Sequence, residues 1–113
     1  MNIQIFGKAK CFDTKKAERF FKERGIKYQY IDLLKYGISK GEFASVKSAC
    51  KGTKNLLDEK HGAYKNILAW GEANAEEYML ANPEVLKTPI VRNGRLATVG
   101  NSPEVWSQWL ANK

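Results

Sequence analysis

The sequence predicts an α/β fold with a four-stranded mixed sheet, in a single domain over residues 1–113 that carries a helical insertion at about residues 35–82. Three patterns predict this fold: a strand–helix–strand unit at the start, helical periodicity in the middle, and a hairpin followed by a helix at the end. The predicted order is therefore strand, helix, strand, several helices, strand, strand and helix. A chain of 113 residues is long enough to bury one sizeable core but not two.

The N-terminal unit begins with an apolar run, Ile3–Phe6, that predicts the first strand. A helix should follow, with Asp13 or Thr14 as its cap and Gly25 as its stop signal. Residues 28–33 predict a second strand. Because a helix joins the two strands, we expect them to be parallel neighbours in the sheet.

The middle of the chain predicts a series of helices rather than strands. Ser39 with Glu42 three residues later is a capping box that should open one helix, and Asn74 with Glu77 should open another. Pro83 ends the series, because the residue before a proline is disfavoured in helices. We interpret these helices as an insertion between two sheet-forming halves.

The C-terminal third predicts a hairpin and a final helix. Residues 88–99 form two strands around Asn93-Gly94, a dipeptide typical of tight hairpin turns. Ser102 is the expected cap of the helix and Pro103 its first residue. The helix should pack on the sheet through one apolar face, made of Val105, Trp106, Trp109 and Leu110.

Cys11 is the centre of the functional prediction, because it lies where the first strand ends and the first helix begins. Unpaired N–H groups and the dipole at a helix N-terminus favour an anion such as a thiolate. Four nearby lysines should favour the thiolate further: Lys8, Lys10, Lys15 and Lys16. These features predict a reactive cysteine with a lowered pKa. The alternative is a small, buried apolar residue.

The cysteine after the first strand and the Thr88-Pro89 pair before the hairpin resemble the thioredoxin fold. The closer resemblance is to the arsenate reductase (ArsC) and Spx family, the branch of that fold with helices inserted in the middle. It covers nearly the whole chain and is carried by Lys10–Ala17, Gly37-Ile38-Ser39, Leu56-Leu57 with Tyr64, and Pro89–Gly94. The resemblance implies that the Thr88–Pro89 bond is cis and that the proline faces the cysteine.

By this resemblance Cys11 is the redox-active nucleophile, and Thr14 takes the place of the family's serine or cysteine three residues later. A hydroxyl at that position can donate a hydrogen bond to the thiolate, and it can also act as a plain helix cap. Because residue 14 is not a cysteine, a dithiol mechanism is excluded, and the resolving thiol must come from elsewhere. Cys50 is the one internal candidate, and its apolar helix face favours core packing.

The resemblance also implies three oxyanion-binding arginines, and the sequence lacks them at the matching positions. Those positions fall at Asp58, with Lys60 nearby, at Thr88, and around Gly100 or Asn101. Neither aspartate nor threonine supplies the paired hydrogen bonds of a guanidinium. The sequence therefore does not predict efficient arsenate reduction.

The Thr88-Pro89 pair and the later Val99–Ser102 are instead similar to the glutathione-binding pattern of glutaredoxins. By that resemblance the backbone beside Pro89 would pair with the cysteine of glutathione. Asn101 and Ser102, with the amides at the start of the last helix, would hold the γ-glutamyl carboxylate. The alternative is an ordinary Ser-Pro-Glu helix start.

Two functions fit these residues. The first is a monothiol oxidoreductase that binds no cofactor, uses glutathione or another small thiol as co-substrate, acts on a small thiol or disulfide, and has glutaredoxin or thioredoxin as a candidate partner. The second is an Spx-like transcriptional regulator that binds RNA polymerase, or a family member without activity. Because Spx-type regulators mostly carry a Cys-x-x-Cys switch that is missing here, we favour the oxidoreductase.

Composition restricts the other classes of function. Two cysteines and one histidine give no metal site of usual spacing, and no apolar stretch is long enough to span a bilayer. The net charge of +7 is spread along the chain, so it does not by itself indicate direct binding of nucleic acid. With no recognisable export signal, we expect a cytoplasmic monomer.

Overall fold

The structure is a computed structural model and describes residues 2–111, within which the elements follow the predicted order. The strands are β1 (Ile3–Gly7), β2 (Tyr28–Asp32), β3 (Ile90–Asn93) and β4 (Leu96–Val99). The helices are α1 (Phe12–Glu23), α2 (Leu33–Tyr36), α3 (Lys40–Ala49), α4 (Tyr64–Ala69), α5 (Glu72–Ala81) and α6 (Pro103–Ala111). Two short 3₁₀ helices lie at Thr53–Leu56 and Pro83–Val85.

The four strands form one mixed sheet in the order β2-β1-β3-β4. β1 pairs with β2 in parallel, whereas the β1–β3 and β3–β4 pairs are antiparallel. Gly7 at the end of β1 lies opposite Asp32, and Phe6 lies opposite Ile90. The segments that follow β1 and β2 and the segment that precedes β3 therefore meet at one edge of the sheet. This arrangement confirms the predicted thioredoxin-like fold.

The two faces of the sheet bury separate apolar clusters. Because strand side chains alternate, Ile5 faces a cluster with α1 and α6, while Phe6 faces the cluster formed by the inserted helices. In the first cluster Trp106 is fully buried, and its ring nitrogen donates to Thr98 Oγ1 at 2.8 Å. The prediction for α6 is correct for both tryptophans, but Val105 is exposed rather than packed. No helix within residues 2–111 is long and apolar enough to cross a membrane.

Two predicted helix starts are wrong. α1 begins one residue after Cys11, whose extended backbone makes it the N-cap, so Asp13 and Thr14 lie inside the first turn. α5 begins at Glu72 rather than near Asn74, whose side chain instead donates to the carbonyl of Trp70 at 3.0 Å. The capping-box prediction is confirmed for α3, since both reciprocal hydrogen bonds are present.

The hairpin is confirmed, but its turn is shifted by one residue. Asn93 pairs with Leu96, so the two loop residues are Gly94 and Arg95. Gly94 has φ 61°, and a positive φ at the first loop position is typical of a type II′ turn. Asn93 therefore belongs to the last pair of the ladder.

α3 ends with a residue in the left-handed region that is not glycine. Lys51 has φ 63°, and the amide of the next residue, Gly52, donates to the carbonyl of Lys47 at 3.0 Å. This is the hydrogen bond of a Schellman motif, in which the left-handed position is usually glycine. The lysine at this position has a backbone conformation that its Cβ disfavours.

We predict that Lys51→Gly stabilises the protein. Relief of the left-handed strain, about 1–2 kcal/mol, outweighs the extra entropy of glycine in the unfolded chain, so the free energy of unfolding should rise by about 0.5–1 kcal/mol. Urea denaturation measures this change. Lys51→Ala is the matched control, because it removes the side chain but keeps the strain, and it should not stabilise. A Lys51→Gly variant less stable than the wild type would contradict this account of the helix end.

Candidate functional site

The candidate site lies at the end of the sheet where the two central strands meet, at the last residues of β1 and the first residues of β3. The loop after β1 carries Cys11, and the segment before β3 carries Thr88 and Pro89, which are joined by a cis peptide bond. The Cys11 Sγ donates to the Thr88 carbonyl over 3.7 Å. The structure therefore brings together the three residues that the sequence analysis expected to meet at the thiol.

Cys11 has the environment of a stabilised thiolate. Partial burial on its own would raise the pKa of the thiol, but hydrogen bonds from the side chains of Thr14 and Thr88 act against it. The backbone amides of Thr14 and Asp13, in the first turn of α1, also favour the charged form. The net result is a pKa of Cys11 below its ordinary value, on a side chain that is half-buried and so still accessible.

The lysines contribute less to this effect than the sequence predicted. Lys10, Lys15 and Lys16 are exposed, and charges in that position are screened by water and salt. Lys16 also lies 3.7 Å from the carboxylate of Asp13. The first turn of α1 and the two threonines, rather than the charges of these three exposed lysines, account for the lowered pKa of Cys11.

Thr14 is buried under the Cys11 loop rather than on the surface as a cap. Its hydroxyl accepts a hydrogen bond from the amide of Lys8 at 3.4 Å and hydrogen-bonds Cys11 as well. One hydroxyl can serve both groups, because it has one donor and two acceptor positions. Gly7 makes this packing possible, since a Cβ at residue 7 would collide with the Thr14 side chain. Sequence analysis did not assign Gly7 this role.

Lys8, one of the four lysines expected to favour the thiolate, also makes contacts that the sequence did not indicate. Its ammonium donates to the carbonyls of Glu84 at 2.9 Å and Leu86 at 2.8 Å, on the segment that leads to Thr88. Burial lowers the pKa of Lys8, while the negative charges of Asp58, Cys11 and Glu84 act in the opposite direction. No local pattern separates Lys8 from its neighbouring lysines, because both partner carbonyls are more than 70 residues away in the chain.

Asn101 and Ser102 follow the site at the start of α6. The amide of Gly100 donates to the Pro89 carbonyl at 2.9 Å, which places the end of β4 beside the cis-proline. Asn101 lines a groove of about 230 Å³ between α1 and α6, together with Lys16 and Arg19. Ser102 is half-buried, and its carbonyl accepts the first hydrogen bonds of α6. Within residues 2–111 the structure shows no hydrogen bond between Cys11 and the side chain of either residue.

The positions where the family resemblance implied arginines do not form an oxyanion site. Asp58 is half-buried, its amide donates to the carbonyl of Val85 at 2.9 Å, and its negative charge acts on Lys8. Thr88 interacts with Cys11 itself, and Gly100 has no side chain. Asp58 brings a negative charge to a position where an arginine is expected, and a carboxylate repels an anionic substrate rather than holding it.

Cys50 is a free thiol that packs as part of the core. It follows α3, lies against the cluster formed by the inserted helices, and its Sγ donates to the Ala97 carbonyl over 3.8 Å. Burial raises the pKa of Cys50. A thiol that stays protonated is a poor nucleophile, so the environment of Cys50 fits packing better than exchange.

Comparisons with known proteins agree with the fold. The sequence model described as "ArsC family" matches residues 6–109. The chain is 25% identical, over 122 aligned positions, to the global transcriptional regulator Spx 2 of Oceanobacillus iheyensis, an alignment that covers 100% of this chain and 87% of the regulator.

Two solved structures show the same fold. The arsenate reductase from Vibrio cholerae superposes with a TM-score of 0.82 at 20% identity, over 96% of this chain and 97% of the other. An arsenate reductase (ArsC) related protein from Brucella melitensis superposes with a TM-score of 0.66 at 24% identity, over 97% and 95% of the two chains.

We predict that Thr14→Val raises the pKa of Cys11. Loss of a hydrogen bond to a charged group costs about 1.5–3 kcal/mol, so the thiolate fraction at pH 7 should fall by roughly tenfold or more. The rate of alkylation by iodoacetamide, followed against pH in a Cys50→Ser background, measures the change. Thr14→Ser is the control, because it keeps the hydroxyl and should retain most of the reactivity. Equal profiles for the valine and serine variants would show that the hydroxyl does not stabilise the thiolate.

Proposed function

Because the chain belongs to the ArsC family, we propose that it is a monothiol thiol–disulfide oxidoreductase with Cys11 as its nucleophile. The observation that carries this proposal is a half-buried, accessible thiol of lowered pKa at the start of α1, beside Thr88 and the cis-proline. Residue 14 is threonine, so exchange proceeds through one protein thiol. The proposed co-substrate is glutathione or another small thiol, and no bound cofactor is needed.

The proposed reaction is a pair of thiol–disulfide exchanges. The Cys11 thiolate attacks one sulfur of a disulfide, forms a mixed disulfide with it, and releases the other half as a thiolate. A second thiol then attacks the outer sulfur of the mixed disulfide and releases the Cys11 thiolate. The second thiol is either a small thiol or a cysteine of a partner such as glutaredoxin or thioredoxin. The cycle ends on a reduced cysteine, which suits the reducing conditions of the cytoplasm.

We assign the glutathione contacts to the Thr88-Pro89 segment, which lies next to the thiol, and to the start of α6, which follows the end of β4 beside Pro89. The backbone at Thr88-Pro89 lies next to Cys11 and is available to pair with the cysteine of glutathione. The groove beside Asn101 is lined by three cationic side chains and one carboxylate, and this excess of positive charge would attract the γ-glutamyl carboxylate. The charged residues are Lys16, Arg19, Arg24 and Glu23. Ser102, with the backbone N–H groups at the start of α6, would complete this carboxylate site.

Arsenate is not the substrate that we propose. Arsenate is an anion, and the position of an expected arginine is taken by Asp58, whose negative charge acts on Lys8. A small thiol or its disulfide places a neutral sulfur at Cys11 and does not need a cluster of guanidinium groups there.

A second candidate function rests on the similarity to Spx 2, which is named as a global transcriptional regulator and matches the whole length of this chain. In that case the protein would bind RNA polymerase, and Cys11 would be a redox sensor or would have no chemical role. A family member without activity is the third case. In both of these cases the thiol does not need to form and release mixed disulfides.

The proposal predicts one glutathione adduct, on Cys11. The protein is exposed to oxidised glutathione, analysed by mass spectrometry, and then treated with reduced glutathione and glutaredoxin. The wild type and Cys50→Ser should each gain one adduct that the treatment removes, because the accessible thiolate is at residue 11. The matched variant Cys11→Ser should gain none.

Absence of an adduct on Cys11 in both of the first two proteins would contradict the oxidoreductase proposal. Binding to purified RNA polymerase, compared between the wild type and Cys11→Ser, would then test the regulator.

A further inference from the structure

We propose that Lys8 is a positioning residue of the thiol site: its ammonium ties the backbone of Glu84–Leu86 to the loop that carries Cys11, and its positive charge favours the thiolate. This inference deepens the proposed function of Cys11 and rests on it. It assigns a role to a side chain that the exchange mechanism does not itself use.

The side chain of Lys8 joins two distant parts of the chain. Its Nζ donates to the carbonyl of Glu84 at 2.9 Å and to the carbonyl of Leu86 at 2.8 Å. An ammonium has three donors, so two of them are used to bind a backbone segment that lies 76 and 78 residues further along. Thr88, which interacts with Cys11, comes two residues after Leu86. The lysine therefore fixes the segment that presents Thr88 to the thiol.

The backbone of Lys8 holds the other half of the site. Its carbonyl accepts the amide of Cys11 at 3.0 Å, and its own amide donates to the hydroxyl of Thr14 at 3.4 Å. One residue thus contacts the nucleophile's amide and the nearest hydroxyl through its main chain, and the cis-proline segment through its side chain. Loss of the side chain would free the second segment from the first.

The ammonium also acts on the charge of the thiol. The groups whose charges face it are Asp58, Cys11 and Glu84, and each favours the protonated lysine against the effect of burial. Coulombic attraction is mutual, so we expect a charged Lys8 to favour the Cys11 thiolate in addition to the two threonines and the first-turn amides.

The neighbouring lysine provides a matched comparison. Lys10 is two residues away on the same loop and carries the same charge, but it is exposed, and no hydrogen bond from its side chain appears within residues 2–111. If proximity in sequence and charge alone mattered, the two lysines would be equivalent. If the hydrogen bonds to Glu84 and Leu86 matter, only substitution of Lys8 changes the reactivity of Cys11.

The test compares Lys8→Met, Lys8→Gln, Lys8→Arg and Lys10→Met in a Cys50→Ser background. Thiolate absorbance against pH and the pH profile of iodoacetamide alkylation report on Cys11, and urea denaturation reports separately on folding. Lys8→Met should raise the apparent pKa of Cys11 and slow alkylation at pH 7 by roughly three- to tenfold, since the nearby positive charge is lost. Lys8→Arg keeps the charge and should stay within about twofold of the wild type, and Lys10→Met should match the wild type.

A Lys8→Met profile that superimposes on that of Lys10→Met would overturn the proposal, whatever happens to stability. If Lys8→Met does not fold, the pair Lys8→Gln and Lys8→Arg decides, because glutamine keeps a donor without the charge. Equal profiles for these two variants would overturn the role of the charge. Alkylation needs only a thiolate, so this experiment gives a result even if the protein never forms a glutathione adduct.

Discussion

The contact between residues 8–14 and residues 84–89 is the constraint on which the candidate site depends. The parallel pairing of β1 with β2 and the antiparallel pairing of β1 with β3 bring these two segments to one edge of the sheet. There the Lys8 ammonium holds the Glu84–Leu86 backbone, and the Cys11 thiol reaches the Thr88 carbonyl. The segments are far apart in sequence, so the site exists only when the sheet is formed.

This geometry stabilises a thiolate mainly with neutral donors. Hydroxyls and first-turn amides favour the charged form of Cys11. The charge of Lys8, which also interacts with Asp58 and Glu84, is proposed to add to this effect. Such a site supports attack on a neutral sulfur better than capture of an oxyanion. Cys50, with a pKa raised by burial, is separated from this chemistry by its place in the cluster of the inserted helices. The fold is that of the ArsC family, and exchange between thiols and disulfides is the reaction that we propose for its thiol.

Much of the fold could be predicted, because its signals are local. The apolar run of β1, the capping box at Ser39 and the turn residue Gly94 each act within a few positions of the chain. The exact ends of helices and strands were predicted less accurately. Cys11 rather than Asp13 or Thr14 precedes α1, and the hairpin loop begins at Gly94 rather than Asn93. The site was predictable only in part. Cys11 and Thr88-Pro89 are recognisable from their order in the chain, but the roles of Lys8 and Gly7 arise from contacts that local patterns do not encode.

The central claim is that Cys11 is a reactive thiolate set up by its position at the start of α1. The most direct measurement is the pKa of Cys11 in Cys50→Ala, obtained from the ultraviolet absorbance of the thiolate against pH. The account predicts a pKa below that of an unperturbed thiol, which is about 8.5. Since the folded protein would then favour the charged form, stability relative to Cys11→Ser should increase as the pH rises through that pKa toward the unperturbed value. A pKa at or above about 8.5 would contradict the claim, because the helix start and the two threonines would then provide no net stabilisation of the thiolate.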